Sequence, residues 1–328
     1  MLDPMSTPGP VQRHGEAFDA VAEAYDAVRP GYPEELVDTA CAIGGLDAGS
    51  RVLEIGCGTG KLTEALVERG LRVDAVDPGP NMIELARRRT GHSAGVEFHV
   101  GRFEDFALLE GTYDAVFSAT AFHWVDPAVG WAKAARALRP GGLLALLMHV
   151  HYREEETAEA SDALREVFMR HLPDHGTWQP LRDLATLRAG AEERRDNVSA
   201  VWTWLGHHDL TRPEAAPLFG DARLTALPVP REQTADELWA GFETSSSYLR
   251  REPRARAALE SEVRATVPSS AARSGRATSP SSSPPTARPI HGEDLRDSQP
   301  ALRSCVDDGC AQPPRVQCRS QDATIRHR

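Results

Sequence analysis

Lysine is almost missing from this chain: it stands at positions 61 and 133 only, against 35 arginines. A bias that strong reflects a GC-rich coding sequence and points to no binding function. Positive charge is also in deficit, with a formal net charge of −11. That disfavours a nucleic-acid backbone as a general partner, because such binding rests on Lys and Arg. No apolar run reaches the roughly 18 to 20 residues a bilayer-spanning helix needs, so no membrane partner is expected. Residues 1–15 have no basic start followed by an apolar stretch, so no signal peptide is expected. Five cysteines in 328 residues make no disulfide framework, and a reducing cytoplasm is the expected home. Cys305, Cys310 and Cys318 follow no recognised zinc spacing, and no metal is expected.

What is present is enough apolar material, 41% of residues, for a real core in one large domain or two small ones. Apolar periodicity predicts strands at 51–55, 72–76, 96–100, 115–119 and 143–148. Helices are expected at 18–28, 33–42, 61–69, 80–88 and 127–138. Strands alternating with helices predict an α/β fold, a doubly wound and mostly parallel sheet with helices on both faces. Ligands of such sheets bind outside the carboxyl ends of the strands, where the strand order reverses. Residues 151–215 read as polar and helical, 224–229 as a sixth strand, and 235–267 as helices. Trp239, Phe242 and Tyr248 are expected to pack together in that last region.

Residues 52–60, Val-Leu-Glu-Ile-Gly-Cys-Gly-Thr-Gly, carry the most information. An apolar run with one acid, Glu54, ends in glycines at 56, 58 and 60. Backbone without Cβ atoms can approach a ligand closely. Asp77 closes the second strand, where a carboxylate can accept from both hydroxyls of a ribose. Together these features describe a pocket for an adenosine-containing cofactor. The spacing is not the G-x-G-x-x-G of a dinucleotide turn, since Lys61 stands where the third glycine would fall. Glu54 beside the turn is unhelpful to a pyrophosphate and suits a ligand carrying ammonium and sulfonium charges.

Residues 52–60 resemble motif I of the class I S-adenosylmethionine-dependent methyltransferases. Residues 101–106 (Gly-Arg-Phe-Glu-Asp-Phe) resemble that family's adenine loop, and 113–125 its fourth strand and following loop. Residues 138–148, opening Leu-Arg-Pro-Gly-Gly, resemble the turn into the fifth strand. Phe122-His123-Trp124 and the upstream Tyr25-Asp26-Ala27-Val28-Arg29-Pro30-Gly31-Tyr32-Pro33 favour the small-molecule "type 11", trans-aconitate-methyltransferase-like group. The resemblance implies S-adenosylmethionine as cofactor. It implies a cofactor site at Tyr25, Arg29, Glu54, Gly56, Gly58, Gly60, Asp77, Pro78, Met82, Phe103, Glu104, Ala119 and Trp124. Arg102 departs from the family, where many relatives place an Asp, and Glu104 is the expected carrier of that role. Tyr25 and Arg29 are expected to close over the methionine end, with Arg29 pairing either the methionine carboxylate or an anionic substrate.

The resemblance implies a helical cap at 1–50, a cofactor-binding core at 51–150, and a lid with the rest of the domain at 151–267. His123, His149 and His151 lie where a base could act, against the plainer reading of polar loop histidines, so no catalytic residue is assigned. The expected partner is a small molecule with an O, N, S or C nucleophile, and the oligomeric state is left open. A nicotinamide-dependent oxidoreductase and a methyltransferase-like domain of weak or no activity are the competing readings. Residues 268–328 hold no Phe, Trp or Tyr and should not fold by themselves. The family's final antiparallel strand is expected to be missing, and the tail is read as frameshifted or fused, or else as a low-complexity linker.

Overall fold

In a computed structural model the described residues are 15–91, 93–155, 158–172, 180–206, 210–229, 233–249, 251–267 and 320–324. A 3-10 turn at Gly15–Val21 leads into α1 (Ala22–Val28), followed by α2 (Glu34–Gly44). The alternating core then runs β1 (Arg51–Ile55), α3 (Lys61–Glu68), β2 (Arg72–Asp77), α4 (Pro80–Thr90) and β3 (Val96–Val100). It continues with β4 (Tyr113–Ala119), α5 (Pro127–Ala137) and β5 (Leu138–Leu147). These five strands pair in the order β3-β2-β1-β4-β5, every pair parallel. The order reverses between β1 and β4, so a crevice opens past Ile55 and Ala119.

Both faces of this sheet are covered, and the strands show it residue by residue. Leu53 and Ile55 of β1, Val116 of β4 and Leu144 and Leu146 of β5 join one buried cluster with Trp131 of α5. Their neighbours Val52, Ala115, Phe117, Leu143 and Ala145 join the other, with Leu36 and Val37 of α2 and Leu62 and Leu66 of α3. Period-2 alternation with both sets apolar is what a two-sided parallel sheet demands. At the far end of the sheet, Asp74 accepts from Arg51 Nη2 (2.8 Å) and from the Tyr113 hydroxyl (2.8 Å), tying three strands together where they begin.

Beyond β5 come β6 (His149–His151), α6 (Ala158–His171), α7 (Leu184–Glu192), α8 (Val198–Gly206) and β7 (Thr225–Val229). Then follow α9 (Ala235–Glu243), α10 (Ser246–Leu249), α11 (Pro253–Thr266) and β8 (Ser320–Thr324). α6, α9 and α11 share a cluster of their own around Phe168, Trp239, Leu259 and Val263. Trp239, Phe242 and Tyr248 do pack together there, with ring centroids 5.4 to 5.8 Å apart.

Two expectations are corrected. The helix expected over 18–28 begins as the 3-10 turn and becomes α-helical only at Ala22. The missing final strand holds for the five-stranded sheet but not for the chain: β8 pairs antiparallel with both β6 and β7 in a second, three-stranded sheet. Ser-Gln-Asp-Ala-Thr has no apolar alternation, so side-chain patterning could not reveal it; its ladder is a matter of backbone pairing. The rest of the tail expected to be disordered lies outside the described residues.

Candidate active site

A cleft of about 860 Å³ opens at the order reversal, within the usual range for small-molecule sites. Its floor is the glycine turn. Gly56, Gly58 and Gly60 all have left-handed φ, +71°, +53° and +82°. Gly56 N donates to Val76 O at 2.8 Å, which bends the chain off β1 toward β2. A Cβ on Gly56 would sit 2.4 Å from the Cβ of Ala121, whereas one on Gly58 would meet nothing within 4 Å. The turn therefore leaves open space above Gly58 for a ligand. Gly60 does not line the cleft. Its missing side chain lets α3 approach α4, because a Cβ there would come within 2.9 Å of Ala86.

Two buried carboxylates flank the turn. Asp77 accepts from Gly58 N (2.9 Å, Oδ2) and Gly79 N (2.8 Å, Oδ1). Each oxygen keeps a second lone pair for a ligand hydroxyl. Burial pushes the Asp77 carboxyl up to about 6, against the opposing pull of those two N–H donors. Glu54 is 1% exposed and accepts from Thr63 Oγ1 at 2.6 Å. Burial raises it to about 7, Thr63 opposes the rise, and the nearby Asp77 charge adds to it. Both groups border the cleft, and a cation bound there would favour their ionised forms.

The loop after β3 forms one wall. Phe103 is buried, and Glu104 accepts from Arg102 Nη2 (2.9 Å) and Asp126 N (2.8 Å). Burial alone would raise the Glu104 pKa; the bonds from Arg102 and Asp126 outweigh it and hold the carboxyl below its usual value. Lys133 Nζ reaches in from α5 to donate to the carbonyls of Glu104 (2.8 Å) and Phe106 (2.7 Å).

The N-terminal segment forms the opposite wall. Asp19 accepts from the N–H of Asn81 (2.7 Å) and Met82 (3.2 Å), capping α4 from a distance in sequence. Asp26 accepts from Thr59 Oγ1 (2.6 Å) in the glycine turn and from Arg89 Nη2 (2.7 Å) in α4, and Lys61 Nζ donates to its carbonyl (2.8 Å). Phe18 packs edge-on against Tyr25 (5.6 Å) and Trp124 (5.7 Å). Arg29 lies 5.3 Å over the Tyr25 ring and donates from Nε to Thr244 Oγ1 at 3.0 Å.

Of the residues expected at the site, Tyr25, Arg29, Glu54, Gly56, Gly58, Asp77, Pro78, Met82, Phe103, Glu104, Ala119 and Trp124 all border this cleft; Gly60 alone does not. Of the three candidate histidines, His123 borders it, while His149 stacks on Tyr32 (4.9 Å) and His151 lies in β6. The sequence reading missed Phe18, Asp19, Tyr32, Thr120, Ser245, Ser246, Ser247, Arg251 and Glu252. Thr120 had no signal although it carries φ +51°, the one positive φ outside glycine among the described residues. Its hydroxyl bonds Tyr32 Oη at 2.8 Å.

One group among the described residues could hold a metal ion: Asp74, Glu97 and His99. It sits away from the cleft, and Asp74 is already engaged by Arg51 and Tyr113. No helix among the described residues is long and apolar enough to cross a membrane.

Residues 53–146 match a family model described as a methyltransferase domain. An uncharacterized methyltransferase of Mycobacterium tuberculosis (strain ATCC 25618 / H37Rv) is 39% identical over 171 residues, covering 52% of this chain and 64% of that protein. A malonyl-[acyl-carrier protein] O-methyltransferase of Serratia marcescens is 31% identical over 134 residues, 40% of this chain and 51% of that protein. A solved structure of Haemonchus contortus phosphoethanolamine N-methyltransferase 2 in complex with S-adenosyl-L-methionine is 20% identical, with TM-score 0.40, covering 75% of this chain and 53% of that one. The chain spans less than two thirds of the length of these curated relatives. With its glycine turn and its sheet order, the chain is similar over residues 53–146 to a methyltransferase domain.

Proposed function

We propose that this protein transfers the methyl group of S-adenosylmethionine to a small-molecule nucleophile. One observation carries the reading. The open space above Gly58 lies between two buried carboxylates, Glu54 and Asp77, at the carboxyl ends of β1 and β2. That floor fits a ligand with a ribose at one end and a positively charged amino-acid portion at the other.

In this reading Asp77 accepts from the ribose hydroxyls. Glu54 offers negative charge to the ammonium and sulfonium. Phe103 and Glu104 frame the adenine, with Pro78 and Met82 beside it. Gly56, Ala119 and Trp124 wall the methionine portion, while Tyr25 and Arg29 close over it from the cap. Gly60 acts on the cofactor only through the seating of α3. The bound cofactor supplies an electrophilic methyl carbon: an acceptor lone pair forms the new bond as the carbon–sulfur pair returns to sulfur, leaving a neutral thioether. The protein's part is alignment and exclusion of water. His123 is the one candidate histidine that borders the cleft and could take a proton from an acceptor that carries one. The name of the Serratia marcescens relative specifies O-methyl transfer, which makes oxygen the first acceptor atom to test. The division into cap (1–50), core (51–150), lid (151–267) and tail (268–328) is retained as part of the proposal.

Titration calorimetry with S-adenosylhomocysteine and, separately, NADH tests it. Binding of the first in the micromolar range with none of the second is expected; NADH binding alone would overturn the reading.

A further inference from the structure

The charged groups lining the cleft are not distributed evenly. On the floor and walls each is engaged: Asp77 with two backbone N–H groups, Glu54 with Thr63, Glu104 with Arg102, and Lys61 with Asp26. The lid side differs. Arg251, in the short connection between α10 and α11, borders the cleft and makes no side-chain hydrogen bond or ion pair among the described residues. Its Nε is buried from solvent. Glu252 follows it and also lines the cleft, yet no ion pair within 4.0 Å joins them. Arg29, the other lining arginine without a carboxylate partner, spends its Nε on Thr244 and its face on Tyr25.

A buried guanidinium donor with no acceptor is costly to maintain, and of the described arginines with such an Nε atom, Arg165, Arg251 and Arg256, Arg251 is the one that borders the cleft, where a ligand can supply an acceptor. The cofactor brings one carboxylate, at its methionine end, and Arg29 stands on that wall. Arg251 is then left over. Its fork matches a carboxylate or phosphate oxygen pair in a way an ammonium would not. Ser245, Ser246 and Ser247 border the same cleft.

We propose that the methyl acceptor is an anion, a carboxylate or phosphate compound, held by Arg251 on the lid side of the cleft. This rests on the cofactor reading above and adds a substrate class to it. The test uses the full chain saturated with S-adenosylhomocysteine, titrated with succinate, inorganic phosphate and the neutral dimethyl succinate. One of the two anions is expected to bind at least tenfold more tightly than the diester, and which one does so separates carboxylate from phosphate. Arg251→Gln should lose at least tenfold of that affinity and Arg251→Lys should recover part of it. Both variants should hold S-adenosylhomocysteine within twofold of the wild type, which also reports that they fold. Equal binding of anions and diester, or anion affinity unchanged in Arg251→Gln, overturns the proposal while leaving the cofactor reading intact. Failure of S-adenosylhomocysteine itself to bind would remove both.

Discussion

The parallel sheet and the C-terminal helices solve the same problem in opposite ways. In the sheet, β1 and β4 are buried on both faces and their register is fixed by neighbours on each side. In the helical part, α6, α9 and α11 meet around a few large side chains, chiefly Trp239 and Phe168. The first arrangement holds ligand groups at the fixed ends of strands. The second brings residues to the cleft from the short α10 and the connections on either side of it, such as Ser245 to Ser247 and Arg251. The comparison teaches that the floor of a site can be stiff and general while its roof remains open to change.

The most severe way to break the floor is Gly56→Val. The new Cβ collides with Ala121 at a left-handed φ where a β-branched residue is strained. Loss of S-adenosylhomocysteine binding by more than a hundredfold is expected in calorimetry, with a melting temperature several degrees lower. The corresponding attack on the roof is Trp239→Ala. Removing a side chain only 2% exposed from the helical cluster should cost about 3 to 5 kcal/mol in denaturant unfolding. If the two regions are as separate as their clusters, the cofactor affinity of that variant should fall far less than that of Gly56→Val. Equal losses would show that the roof supports the floor.

Asp77→Ala should weaken S-adenosylhomocysteine by about 1.5 to 3 kcal/mol, as for a hydrogen bond to a charged group. An unchanged dissociation constant, with the fold intact by circular dichroism, would remove Asp77 from the site.

A gentler probe is pH. Glu54 rises from 4.5 to about 7 and Asp77 from 3.8 to about 6 on folding. Both shifts favour the protonated form in the folded state. The folded chain thus holds protons that the unfolded chain has released, and these two groups make stability fall as pH rises from about 4 to 7. A cationic cofactor reverses the preference. S-adenosylmethionine should therefore bind about tenfold more tightly at pH 8 than at pH 6, one pKa unit's worth of Glu54, and Glu54→Gln should flatten that dependence. A slope of the opposite sign would mean that Glu54 does not face the cation.

The smallest effect is expected from deleting residues 269–328. Among the described residues β8 pairs with β6 and β7, and none of its residues borders the cleft. Cofactor affinity should stay within twofold, measured by the same calorimetry. A larger change would show that the second sheet braces the cleft.

The same contrast governs what could be read from the sequence. β1, β2 and β4 announced themselves because a strand buried on both faces is rich in apolar residues, and their ends placed Gly56, Asp77 and Ala119 together by topology, while β3, an edge strand, showed apolar residues at alternate positions. Gly60 was read as a ligand contact because the motif gives it equal weight with Gly56 and Gly58; its role in spacing α3 from α4 depends on Ala86, which no local pattern connects to it. Asp19 was illegible for the same reason, since it caps a helix 62 residues away. Arg251 had no signal in a chain so rich in arginine. β8 had none because backbone pairing leaves no mark on side-chain order.

The scarcity of lysine acquires a meaning from where its two copies stand. Lys61 reaches across to the carbonyl of Asp26, and Lys133 to the carbonyls of Glu104 and Phe106. Each spends a compact ammonium, with several donors on one atom, on main-chain oxygens of a wall that flanks the glycine turn. Both walls are thereby fastened in part through their backbone, alongside the side-chain ties that Asp26 and Glu104 make. The side chains facing the cleft can then vary while the shape that carries them persists, and little conformational freedom remains to be lost when a ligand enters between them.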